Sequence, residues 1–165
     1  MILGYKCFNK DLTNRYGQRF EVGKTYHITG NITFGNTGNG FHICSNLEDT
    51  LRYFDTFNEE VCICEVKGTG TNIVYNDEYN GYYDMYAVES LTIIRILNRE
   101  EIINIGLNLN QIRVFRFIQG YKLTKEEINL FKNKFINYSS VLKAIAYYQE
   151  GDTNIYNRKK LIKKE

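Results

Sequence analysis

The side chains in this chain that could do chemistry are few. Two histidines and four cysteines are spread over 165 residues. His42 and Cys44 lie two apart in Gly40-Phe41-His42-Ile43-Cys44, so on a strand both project from one face. A thiol becomes a nucleophile beside a base that a third group orients. No such third group is evident here, and the pair reads as structural. Cys62 and Cys64 are also two apart, and Cys7 stands near the start. The C-x₂-C spacing of a zinc knuckle is missing. A zinc site would have to recruit Cys44 or His42, and reduced structural thiols are the favoured reading. The glycine-rich run at residues 35–40 is followed by no Lys-Ser/Thr, so it is not a phosphate loop. Glu48 and Asp49 open a helix, where acidic residues suit the dipole in any case.

These residues sit on elements that the hydrophobic period outlines. Residues 2–8 are apolar and aromatic and form a first strand, ended by Asn9-Lys10-Asp11. Residues 19–29 form a second unit with Gly23-Lys24 as a turn, and residues 31–34 a short strand. The glycine-rich loop then delivers a strand at residues 41–44. Ser45 with Glu48 has the form of a capping box, followed by Leu47, Leu51 and Phe54 on one helical stripe. A strand over residues 60–67 alternates with a slip near its end and closes at Gly68-Thr69-Gly70. Residues 72–75 form a short strand, residues 76–84 a polar loop, and residues 85–97 the strongest strand.

Beyond Asn98 the period becomes helical. Residues 99–105 form a short helix. Thr124 with Glu127 is a second capping box, and Ile128, Phe131 and Phe135 follow on one face. Ser139-Ser140 interrupts that pattern, which resumes to Gly151. The expected fold is α+β. A mixed-sheet core with one capped helix spans residues 1–105, and a helical extension over residues 106–165 packs on it within the same domain.

Composition narrows the function. The formal charge is +2, from 21 basic and 19 acidic residues, which argues against a whole-surface nucleic-acid binder. The one basic run is Arg158-Lys159-Lys160 with Lys163-Lys164, a pattern typical of a solvated end. No stretch reaches the ~20 apolar residues of a membrane span, and the start lacks a signal peptide, so a cytoplasmic protein is expected. The 14 Tyr and 10 Phe accompany abundant Asn, Ile and Lys. AT-rich codons account for that set, so the tyrosines alone do not mark a binding surface.

A further reading comes from resemblance. Tyr5-Lys6-Cys7-Phe8, Asp11-Leu12, Glu21-Val22-Gly23-Lys24-Thr25-Tyr26 and Gly40-Phe41-His42 resemble a family of small phage and bacterial proteins without an assigned activity. Its opening usually reads Tyr-Lys-Gly-Phe, so Cys7 is a departure. Glu65-Val66 and the strand at residues 91–97 fit its spacing, and the resemblance covers residues 1–105. That layout is distantly similar to the ADP-ribosyltransferases, which implies a split sheet and NAD as cofactor. On that resemblance Lys6 grips the adenosine ribose, His42 stacks on nicotinamide, and Ser45 lies just after the small hydroxyl position. Glu89 is the first choice for the catalytic glutamate and Glu65 the second. A carboxylate there would stabilise the positive charge that builds on the ribose as nicotinamide leaves. Lys stands where Arg or His is usual, His where Tyr is usual, and no Gln/Glu-x-Glu motif is present.

The resulting expectation is an NAD-binding, transferase-like protein acting on a host macromolecule, with catalysis itself left open. The alternative is a non-catalytic phage-type protein that binds a host factor. A nucleic-acid binder using Tyr stacking and the lysine tail comes third.

Overall fold

The computed structural model describes residues 1–35 and 37–155. The basic run at residues 158–164 lies outside the described residues. The chain divides into two compact units, Met1–Arg99 and Glu100–Glu165. The first is strand-rich and the second helical, an α+β arrangement.

In the first unit the strands are β1 (Ile2–Asn9), β2 (Thr25–His27), β3 (Phe41–Cys44), β4 (Val61–Asp77) and β5 (Tyr82–Ile96). They form one sheet in the order β2-β5-β3-β1-β4, and β5 also pairs with β4. The sheet therefore closes on itself through β1, β3, β5 and β4, which leaves little open edge at its core. Every pairing between these strands is antiparallel. The parallel component expected of a mixed sheet is limited to an isolated bridge between Val22 and Ile93. The split sheet implied by the resemblance is replaced by this one continuous sheet.

Two long strands replace the shorter ones expected. β4 runs through Gly68-Thr69-Gly70 instead of ending there. The pairing with β5 shifts register between Thr69 and Asn72, and Gly70 takes φ +78°. A bulge absorbs the turn-like residues without ending the strand. A second shift, between Glu65 and Val66, is the slip visible in the alternation. The polar stretch expected as a loop contracts to the hairpin turn between Asp77 and Tyr82. Residues 31–34 form no strand, and the unit at residues 19–29 reduces to β2.

The core is built from Phe8, Phe20, Phe41, Ile43, Cys64, Val66, Val88, Leu91 and Ile93, all buried. Phe20 enters from the β1–β2 connection and meets Phe8, Tyr26 and Phe41 with centroids 5.2, 4.8 and 6.0 Å away. Burial of three phenylalanine rings beside the partly buried Tyr26, in tilted and edge contacts, adds to the area term.

The seam between β1 and β3 is the narrowest in the sheet, a single pair of residues, Tyr5 and Cys44. A Cβ on Gly4 would sit 2.5 Å from the Cys44 carbonyl oxygen and 2.6 Å from Ile43 Cγ2, so only glycine lets β1 approach β3 there.

Helix α1 (Leu47–Thr50) follows β3 and tightens into a 3₁₀ turn at Leu51–Tyr53. The Ser45 capping box does not form. Asn46 is the N-cap, which places Glu48 at the second helical position, and no side-chain cap is made. Instead Asn46 Nδ2 donates to Asp49 Oδ2 at 3.3 Å. All four residues of α1 are buried, including Glu48 and Asp49.

The second unit contains α2 (Arg99–Leu107), α3 (Gln111–Gly120), α4 (Lys125–Lys134) and α5 (Ser139–Ala144), which continues as a π turn at Ile145–Gln149. The Thr124 capping box forms in full. Thr124 Oγ1 accepts from Glu127 N at 3.2 Å, and Glu127 Oε2 accepts from Thr124 N at 2.8 Å. Gln149 ties the end of α3 down, donating to the carbonyls of Ile118 and Tyr121 and accepting from Leu123 N. The interruption expected at Ser139-Ser140 falls just before them, at residues 135–138, and the two serines open α5.

Candidate functional site

Beside the β1–β3 seam lies a cavity of about 560 Å³. β1 contributes Tyr5, Lys6 and Cys7, and β3 contributes Phe41, His42 and Cys44. The 3₁₀ turn after α1 adds Arg52 and Tyr53. The β1–β2 connection adds Arg15, and Phe34 stands just before the glycine-rich loop.

The cavity wall carries cations and no carboxylate. Lys6 Nζ donates to the His42 carbonyl at 2.9 Å, which spends one of its three donors. Burial lowers its pKa, the effect expected of an amine removed from water. The Arg52 guanidinium lies 4.2 Å from the Tyr82 ring centroid and 5.3 Å from that of Tyr53. Those ring contacts and a long hydrogen bond from Nη1 to Met85 Sδ, at 3.9 Å, orient the arginine and leave its other donors for a ligand. Among the described residues none of Lys6, Arg15 and Arg52 makes a salt bridge, and none that lines the cavity is a carboxylate.

Aromatic side chains form another wall. Phe34 and Tyr75 stack with centroids 4.3 Å apart and an 8° tilt, and His42 meets Phe34 edge-on at 4.6 Å. His42 Nε2 accepts from Gly35 N at 3.2 Å, so the neutral ring carries its proton on Nδ1. Burial and then the Lys6 charge push His42 down to about 4. His42 therefore holds the glycine-rich loop as a neutral acceptor.

The nucleophilic reading of His42 and Cys44 finds no support in the electrostatics. Burial, then the Asp49 carboxylate, pushes the Cys44 thiol up to about 12. Burial raises Cys7 as well, so both stay protonated at neutral pH. Among the described residues no group of three or more His, Cys, Asp or Glu side chains is placed to hold a metal ion.

Of the residues singled out from sequence, Lys6 and His42 come together in the cavity. Ser45 does not line it; its N–H donates to the Asp84 carbonyl at 3.1 Å. Glu89 Oε2 accepts from Thr71 N at 2.8 Å and lies against Gly70, clipping the β4 bulge. The Thr71 N–H, then its hydroxyl, holds the Glu89 carboxyl below the usual range. Glu65 takes a bidentate pair from Arg95, at 2.8 and 3.1 Å. Neither glutamate lines the cavity. Arg15, Arg52, Phe34 and Tyr75 are the residues that sequence reading missed. Only Arg52 carried a signal: it follows Leu51 in the α1 segment, off the apolar stripe.

A family model, a domain of unknown function (DUF7666), matches residues 2–105. The chain belongs to that family. No curated protein and no solved structure matches the chain.

Proposed function

We propose that this member of the DUF7666 family binds a nucleotide in the cavity at the β1–β3 seam, with NAD the ligand to test first. One observation carries the reading. Lys6, Arg15 and Arg52 line an aromatic-walled hollow whose own wall holds no carboxylate, and none of the three makes a salt bridge among the described residues. Cations held near one another without counter-charge are favoured by a bound anion, and guanidinium groups suit phosphate oxygens. Tyr75, Phe34 and His42 supply flat surface for a base or a nicotinamide ring.

The proposal is binding, without transfer through Glu89 or Glu65. Cleaving the nicotinamide–ribose bond calls for a carboxylate beside the ribose, and the Glu89 and Glu65 carboxylates are engaged elsewhere on the sheet. Titration calorimetry with NAD tests the first part, and nicotinamide release from NAD tests the second. Binding that weakens at least tenfold in Arg52→Met is expected, with no release by wild type. Absence of binding at millimolar NAD ends the reading. Release that disappears in Glu89→Gln would restore the transferase reading, including action on a host macromolecule.

A second reading, a protein-binding module, rests on the far part of the β4–β5 hairpin. β1 pairs with β4 only as far as Gly68, and Val74, Tyr79 and Tyr83 beyond it are exposed. An extended partner could add to such an edge. A host-lysate pull-down that yields the same stoichiometric partner with wild type and with Val74→Lys would count against it.

A further inference from the structure

A second hollow, of about 540 Å³, lies against the first and shares four of its lining residues: Arg15, Arg52, Tyr53 and Phe54. The rest of its wall is Asn9, Asp55 and Glu59. Along the two hollows the chemistry therefore changes in a fixed sequence. Stacked rings and an imidazole come first, two guanidinium groups stand at the shared wall, and an amide with two carboxylates comes last.

From this sequence of groups we infer that the ligand is a nucleoside diphosphate carrying a second sugar, with its base in the first hollow, its phosphates at the shared arginines and its second sugar in the other hollow. The inference rests on the nucleotide reading above and narrows it to this class. Ionised carboxylates only accept hydrogen bonds. They repel a further phosphate and favour hydroxyl donors, the groups a ribose or hexose presents.

Asp55 is held for that role. Its carboxylate accepts from Phe57 N at 3.1 Å and from Asn58 Nδ2 at 2.7 Å, which fixes its direction. Glu59 Oε2 accepts from Asp55 N at 3.3 Å. Its other oxygen makes no hydrogen bond among the described residues and is free for a sugar hydroxyl. Asn9 Nδ2 donates to Thr13 Oγ1 at 3.0 Å, an anchor for the segment that leads to Arg15. Arg15 itself makes no salt bridge among the described residues, and Arg52 donates only weakly, from Nη1 to Met85 Sδ at 3.9 Å, so a diphosphate at the shared wall would meet two guanidinium groups without an ion-pair partner.

The test is titration calorimetry of the full chain with ADP and with ADP-ribose, which differ by the second sugar. ADP-ribose is expected to bind at least tenfold tighter. Glu59→Ala should bring ADP-ribose to the affinity of ADP and leave ADP unchanged. Equal affinities of wild type for the two ligands would overturn the inference while leaving the nucleotide reading intact. So would a tenfold gap that survives in Glu59→Ala. Binding of neither ligand at millimolar concentration would remove both. Amide chemical shifts give a readout that does not depend on the variant's folding. Asn58 and Glu59 should move with ADP-ribose and stay still with ADP, and movement with neither, although both ligands bind, also overturns it.

Discussion

Arg95 and Arg52 occupy the same sheet-bearing unit and meet opposite circumstances. Arg95, on the outer part of β5, grips Glu65 on the neighbouring strand through two hydrogen bonds. Glu89, on the same strand, is likewise spent on the chain, clipping the bulge at Gly70. Arg52 lies at the cavity with its guanidinium over the Tyr82 ring and no salt bridge among the described residues. Arg15 and Lys6 beside it share that condition. On the outer strands the charges serve the fold, and every carboxylate considered there has a donor. At the seam the fold holds cations that make no salt bridge among the described residues. Clustered cations repel one another, so an arrangement of this kind costs stability unless an anion completes it. The difference between the two regions is the reason for placing function at the seam.

The strongest way to break that comparison is to force the seam apart. In Gly4→Ala the new methyl would meet the Cys44 carbonyl and the Ile43 side chain at distances that demand movement of β3. Overpacking of a buried contact costs ~1–3 kcal/mol. A drop of that size in chemical denaturation is expected, together with loss of nucleotide binding, because Lys6 would no longer reach the His42 carbonyl. Gly17→Ala is the control. It removes a positive-φ glycine with nothing within 4 Å, so its cost is strain alone. Ligand binding that survives Gly4→Ala intact would mean that the seam does not shape the site.

Next in size is the arginine exchange. Arg52→Met should weaken NAD binding at least tenfold, about 1.4 kcal/mol or more, as expected for a charged hydrogen bond to phosphate. Arg95→Met should leave binding within twofold of wild type. If the two variants lose the same affinity, the contrast between satisfied and open cations has no functional meaning.

Much of the fold was legible because its signals are local. Thr124 and Glu127 announced a capping box that forms as read, since cap and partner are three residues apart. Ser45 and Glu48 carried the same pattern and failed. The burial of all of α1 and the step from β3 into it set the start one residue later, at Asn46. The hairpin of β4 and β5 was read as shorter pieces because Gly68-Thr69-Gly70 has the composition of a turn. The bulge that carries the strand through depends on Glu89, far along the chain. The site was half legible. Lys6 and His42 stand on strands with a clear period. Arg15 and Arg52 join them only through tertiary folding, and nothing in the sequence near Arg15 says that it faces a cavity. A positively charged site assembled from positions 6, 15 and 52 has no motif to find.

A smaller effect sharpens the comparison through pH. His42 titrates ordinarily at 6.5 but is pushed down to about 4 in the folded chain. Between those values the unfolded chain takes up a proton that the folded ring refuses. Stability should therefore be complete above pH 6.5 and fall as the pH drops toward 4. Discounted for the exposed part of the ring, the loss attributable to His42 is about 1–2 kcal/mol. His42→Gln keeps an acceptor for Gly35 N and removes the titration. The difference between the two proteins in urea midpoints at pH 7 and pH 4.5 measures the contribution. Identical slopes would mean that the ring is not held neutral.

The smallest expected effect concerns the satisfied region itself. Glu65→Gln removes one charge of the Arg95 pair while keeping the side chain's size. Both partners are partly exposed, at 34% for Glu65 and 45% for Arg95, so the pair is screened by water and salt. Surface pairs of this sort contribute ~0.2–1 kcal/mol, with the bidentate geometry favouring the upper part of that range. Denaturation at 50 mM and 500 mM salt should show the gap between wild type and variant shrinking as salt rises. Nucleotide affinity should not change, because the pair stands outside the cavity. A loss of affinity in Glu65→Gln would reverse the assignment of roles, making the outer glutamate part of the site and the cavity cations incidental to it.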